Sequence, residues 1–140
     1  MAGGNVISVD FTTRVIYAET DMMGRVYYGR FFEYFEAARS HLLREIGLPY
    51  SEIEKAGFYL PVIESHCEYK NPATFEDELV IRTMFKSKPR STLKVEYEVL
   101  KGEDIVAIGH TIHTFVNHDG RAVKPPTAFR KALEEHWSDE

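Results

Sequence analysis

Among 140 residues there is a single cysteine, Cys67, so no disulfide can form within the chain. With no CxxC partner, Cys67 reads as a core residue rather than a nucleophile. The opening Met-Ala-Gly-Gly lacks both the basic start and the apolar run of a signal peptide, so a cytoplasmic protein is expected. No apolar stretch approaches the ~18 residues that a spanning helix needs, which argues against a membrane span. There is no G-x-S-x-G, no phosphate-cradling P-loop and no G-x-G-x-x-G, so serine-hydrolase, NTPase and dinucleotide-binding readings find no support. The six histidines, His41, His66, His110, His113, His118 and His136, show no metal-ligand spacing, and His110 and His113 fall on opposite sides of one strand. A net charge of -5 disfavours sequence-blind binding to nucleic-acid phosphates. Repeats, low-complexity tracts and linkers are also missing, so residues 1–140 read as one domain, large enough to bury a core without disulfides or metals.

What is present is ordered. Val6 to Tyr17 is rich in β-branched and aromatic residues and reads as a first strand. From Phe31 to Ile46, Phe31, Phe35, Ala38, Leu42 and Ile46 recur at three- and four-residue steps, and Phe32 and Leu43 widen the stripe, so a largely buried helix is expected. Gly47 and Pro49 end it, and Ser51 is placed to cap a short helical turn that stops at Gly57. Four strand-like runs follow, Phe58 to Lys70, Glu78 to Ser87, Thr92 to Lys101 and Asp104 to Asn117. The sequence Asn117-His-Asp-Gly120 is a turn leading to a short strand at Arg121 to Lys124, and Pro125-Pro126 with Thr127 introduce a last helix ending near Trp137. One buried helix with five or so successively antiparallel strands gives an α+β layer whose sheet curls around the helix.

Between the first strand and the helix lies Tyr17-Ala-Glu-Thr-Asp21-Met-Met-Gly-Arg-Val-Tyr-Tyr-Gly29, a polar elbow that parks one carboxylate, Asp21, beside a helix start near Tyr28. Unpaired N–H groups at a helix start can stabilise an oxyanion, and a nearby carboxylate can act on water or on a carbonyl carbon. The plain alternative is that Asp21 only caps the helix.

The elbow resembles the signature of the 4-hydroxybenzoyl-CoA thioesterase-like branch of the hotdog-fold superfamily, roughly T-D-x-x-G-x-V-Y-[HY]-x-x-[YF] before an aromatic stretch and a Glu. Thr20, Asp21, Gly24, Val26, Tyr27, Tyr28, Phe31 and Glu36 supply it in order. The likeness continues through Tyr69-Lys-Asn-Pro72, Phe75-Glu-Asp77-Glu-Leu79, Gly109-His-Thr111 and Gly120-Arg121, covering nearly the whole chain.

The resemblance implies an acyl-CoA thioesterase with a hotdog fold and no metal or redox cofactor. Asp21 would be general base or nucleophile, and the Tyr28 N–H the oxyanion donor. Many relatives carry His where Tyr28 stands, so the Tyr28 ring is expected to be pocket wall. Gly24 would allow positive φ and close substrate approach, or simply turn the chain. Glu36 would hydrogen-bond the elbow and fix Asp21, or else be a partly exposed helix residue paired with Arg39 or Ser40. Coenzyme A phosphates need a local basic site, for which Lys88 and Arg90 come first and Arg121 and Lys124 second, though charged turns are usually just solvated. The resemblance also implies a homodimer or tetramer in which Tyr59, Leu60 and Pro61 line the partner's pocket, with acyl carrier protein left open as a thiol carrier. A non-catalytic acyl-CoA-binding module and a hotdog hydratase or dehydratase are the alternatives. The intact Asp21 elbow disfavours the first, and the missing His motifs the second.

Overall fold

The computed structural model describes residues 5–139. Five long strands, β1 (Asn5–Arg14), β2 (Val62–Tyr69), β3 (Glu78–Phe85), β4 (Thr92–Lys101) and β5 (Asp104–Thr114), with a two-residue β6 (Ser138–Asp139), form one antiparallel sheet in the order β2-β5-β4-β3-β1-β6. The helix α1 (Arg30–Glu45) packs against it, followed by α2 (Tyr50–Lys55), and α3 (Thr127–His136) runs near the C-terminus. This is the hotdog arrangement. Succession in the chain is succession in space only from β3 to β5, since β1 pairs with β3 and β2 with β5.

Strict alternation drives the sheet. In β3 and β4 every second residue is buried, which turns Leu79, Ile81, Thr83 and Phe85, then Leu93, Val95, Tyr97 and Val99, towards α1. The helix answers with Phe31, Tyr34, Phe35, Ala38, Leu42 and Leu43. Phe32 falls on the outer flank and stays exposed, so the apolar stripe is narrower than the spacing predicts. Phe35 stacks on Tyr97 with ring centroids 4.2 Å apart and planes within 6°. The ring fits because β5 has glycine beneath it, where a Cβ on Gly109 would stand 2.8 Å from the Phe35 ring and collide with the His66 carbonyl.

Several boundaries differ from expectation for local reasons. The first strand stops at Arg14, because Glu19 turns its carboxylate back onto the Ile16 N–H at 3.0 Å and folds Tyr17–Glu19 into a 3-10 turn. The second begins only at Val62. Tyr59 makes an isolated bridge with Val116, and Pro61 has no N–H to continue the ladder. Strands β3 and β5 end two and three residues early, and Arg121 to Lys124 contributes one bridge, Val116 to Ala122, before Pro125. Ser51 is not a cap, because α2 starts behind Pro49 with no side-chain cap.

Beneath α1 runs a chain of buried polar groups. Arg39 Nη1 lies 2.9 Å from the Tyr97 hydroxyl, which lies 2.7 Å from Thr111 Oγ1. Thr111 Oγ1 is 2.9 Å from His113 Nε2, and His113 Nδ1 is 2.9 Å from the Leu60 carbonyl. A guanidinium can only donate and a carbonyl can only accept, so every link has one direction. Arg39 donates to Tyr97, Tyr97 to Thr111, Thr111 to neutral His113, and His113 to Leu60. Burial pushes His113 down to about 4 and raises the Tyr97 phenol, the latter opposed by the Arg39 charge.

The unfolded chain takes up the His113 proton near ~6.5, whereas the folded chain takes it up only near about 4. The stability that neutral His113 contributes is therefore complete above pH ~6.5 and is lost as pH falls towards 4. Denaturant midpoints measured between these limits should fall with acid in the native protein, and more shallowly in His113→Gln.

Candidate active site

The elbow is a tight two-stranded turn. Thr20 bridges to Val26 and Arg25 to Thr74, the Asp21 N–H donates to the Arg25 carbonyl at 2.7 Å, and the Gly24 N–H donates to the Asp21 carbonyl at 2.9 Å. Gly24 sits at φ +78 with nothing within 4 Å of a built Cβ, so the turn itself requires the glycine and no neighbour does. The Asp21 carboxylate wraps this turn. Its Oδ1 accepts from the Met23 N–H at 2.8 Å and the Arg25 N–H at 3.2 Å, while Oδ2 has no partner among the described residues. It does not cap α1, whose N-cap is Gly29 with no side-chain bond. One oxygen is thus spent on orientation and the other is left for chemistry.

The turn is docked against the segment after β2. The Val26 N–H donates to the Ala73 carbonyl at 2.8 Å, and Asn71 is tied in turn to β5, its N–H to Val106 and its Nδ2 to the Ile105 carbonyl at 2.7 Å. Tyr69 donates its hydroxyl to the Tyr28 carbonyl at 3.1 Å. The Tyr69 phenol is pushed up to about 12, first by burial and then by Cys67. Burial also raises the Cys67 thiol, which agrees with an unreactive sulfur.

These contacts enclose a cleft of about 310 Å³ in which Asp21, Arg25, Tyr28, Phe31, Tyr69 and Lys70 meet. The first turn of α1 is entered through Arg30, Phe31 and Phe32, whose N–H groups donate to Tyr27, Tyr28 and Gly29 carbonyls. The Tyr28 N–H, just before them, has no acceptor among the described residues. The Tyr28 ring is 61% exposed, with its centroid 4.4 Å from that of Tyr27, and forms wall. Asp21, with one carboxylate oxygen unpartnered, and Tyr28, with an unused backbone N–H, therefore line one cleft.

The other site candidates lie elsewhere. Glu36 does not reach the elbow, whose N–H groups Asp21 itself occupies, and no ion pair joins it to Arg39 among the described residues. It is exposed at the rim of a second cavity, of about 200 Å³, shared with Arg39, Ser40, Tyr50, Leu60 and His113. Leu60 is buried there. Tyr59 bonds His118 at 3.0 Å and Pro61 is exposed, so within one protomer none of the three lines the Asp21 cleft. Of the basic candidates, Lys88 lies over the Trp137 ring at 5.7 Å, and the backbone of Arg121 closes the Asn117 turn. Arg90 and Lys124 instead meet in a groove of about 610 Å³ that also holds Arg130 and no acidic side chain. Arg130 and Lys70, which line these clefts, were not among the sequence candidates, and Arg39 entered only as a partner for Glu36. A cation recurring four residues after Phe35, on the flank of an apolar helix, was the available signal.

Comparison with known proteins shows the family. Residues 15–133 match the model of the thioesterase-like superfamily. An Aquifex aeolicus protein provisionally named an esterase is 32% identical over 125 residues, covering 89% of this chain and 97% of the other. YneP of Bacillus subtilis, provisionally named an acyl-CoA thioesterase, is 30% identical over 119 residues, 85% of each chain. The solved structure of BH1999 gentisyl-coenzyme A thioesterase superposes with a TM-score of 0.81 at 27% identity, covering 87% of this chain and 99% of that one. By sequence and by fold, this chain belongs to the thioesterase-like superfamily.

Proposed function

We propose that this chain is an acyl-CoA thioesterase, converting acyl-CoA and water to a free acid and CoA, with Asp21 and the Tyr28 N–H as its reacting groups. The observation that supports the reading is the shared cleft, lined both by Asp21 and by Tyr28, whose N–H has no acceptor among the described residues. A thioester carbonyl seated at the helix start receives the Tyr28 N–H, and negative charge developing on its oxygen strengthens that bond in the transition state. Asp21 either takes a proton from the attacking water or attacks the carbonyl carbon itself, giving an anhydride that water then opens. In both routes the C–S bond breaks and the CoA sulfur leaves with the electron pair. Arg25 and Lys70 also line the cleft wall. Such an enzyme works where CoA thioesters are made, in the cytoplasm.

A homodimer completes the site in this reading. β2 ends the sheet, its outer edge carries no strand among the described residues, and Val62, Ile63 (59% exposed) and Tyr69 lie open on it. A free apolar edge invites pairing, and two identical edges related by a two-fold axis pair antiparallel. Leu60 and His113, beside the start of β2, belong to the 200 Å³ cavity, and Tyr69 at its end belongs to the Asp21 cleft. Seven residue steps of about 3.3 Å set these some 23 Å apart within a protomer. Antiparallel pairing lays the cavity of one protomer beside the cleft of the other, which is where Tyr59, Leu60 and Pro61 would meet a partner's substrate.

The nucleotide end of CoA fits the Arg90, Lys124 and Arg130 groove, with the hydroxyls of Ser91, Thr92 and Thr114 beside the cations. Replacing Arg90 and Lys124 by Ala together should raise KM for acyl-CoA by roughly 5- to 30-fold at nearly constant kcat, since phosphate contacts bind ground and transition states alike. The same change should leave acyl-pantetheine, which has no nucleotide, unaffected. An unchanged KM at low salt moves the nucleotide elsewhere.

Asp21→Asn tests the chemistry. Asn keeps an oxygen for the Met23 and Arg25 N–H groups, so the turn should hold and folding should change by about 1 kcal/mol or less. Asn neither accepts the proton from water nor forms the anhydride, so kcat should drop by roughly 10² to 10⁴ across a panel of short, long and aryl acyl-CoAs. Wild-type rates in a folded Asp21→Asn protein exclude Asp21 as catalyst. A wild-type protein that binds acyl-CoA and hydrolyses none leaves the binding-module reading.

A further inference from the structure

Arg39 is a cation without an anion. It stands on the flank of α1, half-buried, with one N–H spent on the Tyr97 hydroxyl and no carboxylate within ion-pair distance among the described residues. Its remaining donors belong to a group that lines the 200 Å³ cavity. The rest of the cavity explains what they meet. Leu43, Leu60, Phe85 and Leu93 make a largely apolar chamber, all four buried or nearly so. A cavity of about 150 Å³ holds a benzene ring, so this one takes a single ring or a chain of similar bulk. A purely hydrocarbon guest would leave the guanidinium desolvated against apolar carbon, at a cost that an oxygen acceptor on the guest removes.

The guanidinium is also fixed in place to a degree that a solvated arginine is not. With His113 neutral, the chain from Arg39 through Tyr97, Thr111 and His113 to the Leu60 carbonyl permits no reversal. Tyr97, Thr111 and His113 are 1%, 3% and 1% exposed, so solvent offers no competing partner. The chain joins helix α1 to the Leu60 segment, the two walls between which the cavity opens. Glu36, at the rim, presents an acceptor three residues from Arg39 without neutralising it.

We propose that Arg39 is a specificity-determining residue that selects acyl groups carrying an acceptor oxygen, a hydroxyl or a carboxylate, at the end remote from the thioester, and that Tyr97, Thr111 and His113 are its positioning residues. The inference rests on the thioesterase reading and on the dimer that sets this cavity beside a partner's cleft. It names what that site prefers. A hydroxyl satisfies both charged groups, donating to Glu36 and accepting from Arg39, whereas a carboxylate engages Arg39 alone and repels Glu36.

Equilibrium binding separates this inference from the catalytic one, because it needs no turnover. The probes are non-hydrolysable CoA thioethers matched in size, bearing a plain ring, a ring with a remote hydroxyl and a ring with a remote carboxylate. Wild type should bind an oxygen-bearing probe about 10- to 100-fold more tightly than the plain one, the range expected of a hydrogen bond to a charged group. In Arg39→Met that ratio should fall towards one. In Tyr97→Phe, checked for folding by circular dichroism, it should fall part of the way, an effect that general loosening of the fold, acting on all probes alike, does not produce. Preference for the hydroxyl over the carboxylate should narrow in Glu36→Gln. Equal binding of all probes by wild type, failure of any to bind, or an undiminished ratio in Arg39→Met overturns the proposal. Loss of hydrolysis with an intact binding ratio counts against the thioesterase reading alone.

Discussion

The seating of Phe35 on Gly109 is the contact from which the site geometry follows. With any side chain at Gly109 the ring could not lie against the sheet and stack on Tyr97, and α1 would ride further out. At the observed depth, the start of the helix reaches the elbow, so that Tyr28 and Asp21 share a cleft. Eleven residues on, a rise of about 16 Å, the same depth lets Arg39 meet the Tyr97 hydroxyl. One glycine thus sets the height of the helix over the sheet from its start to Arg39. The energy is ordinary core burial, and the specificity comes from where the close approach is allowed.

The elbow shows how a carboxylate is oriented without being neutralised. Asp21 binds its own turn through two backbone N–H groups, and no guanidinium or ammonium pairs with it among the described residues. A direct ion pair would lower its basicity and block its free oxygen. Backbone donors fix direction at smaller cost to reactivity. The Tyr28 N–H opposite is likewise a backbone group, so both polar elements of the cleft are set by chain path more than by side-chain rotamers, and exchange of His for Tyr at the ring leaves the donor untouched.

Much of this was legible in the chain. Alternation in Thr92 to Lys101 matched β4 residue for residue, because that strand is central and half-buried, the condition under which a period of two is enforced. Edge segments were read too long, at Val6 to Tyr17 and Phe58 to Lys70, since β-branched and aromatic residues there serve bends and an exposed edge as well as ladders. Asp21, Gly24 and Tyr28 were found together because they are near in sequence and carry a family pattern. The surroundings of Glu36, Lys88 and Arg121 were not legible, because their partners depend on tertiary paths. Glu36 lines a cavity away from the elbow, Lys88 lies over Trp137, and the Arg121 backbone closes its turn. The Arg39 to Leu60 hydrogen-bond chain spans four separate segments, and no local spacing records it.

In the proposed mechanism a thioester carbonyl lies between the Asp21 carboxylate and the Tyr28 N–H at the start of α1. A crystal structure with a bound acyl-CoA analogue that keeps the carbonyl but replaces the thioester sulfur by methylene measures this directly. The account predicts the carbonyl oxygen within about 3 Å of the Tyr28 nitrogen and its carbon facing Asp21, either in contact or across one water. A carbonyl bound away from the helix start, with the Tyr28 N–H turned to solvent, would contradict it.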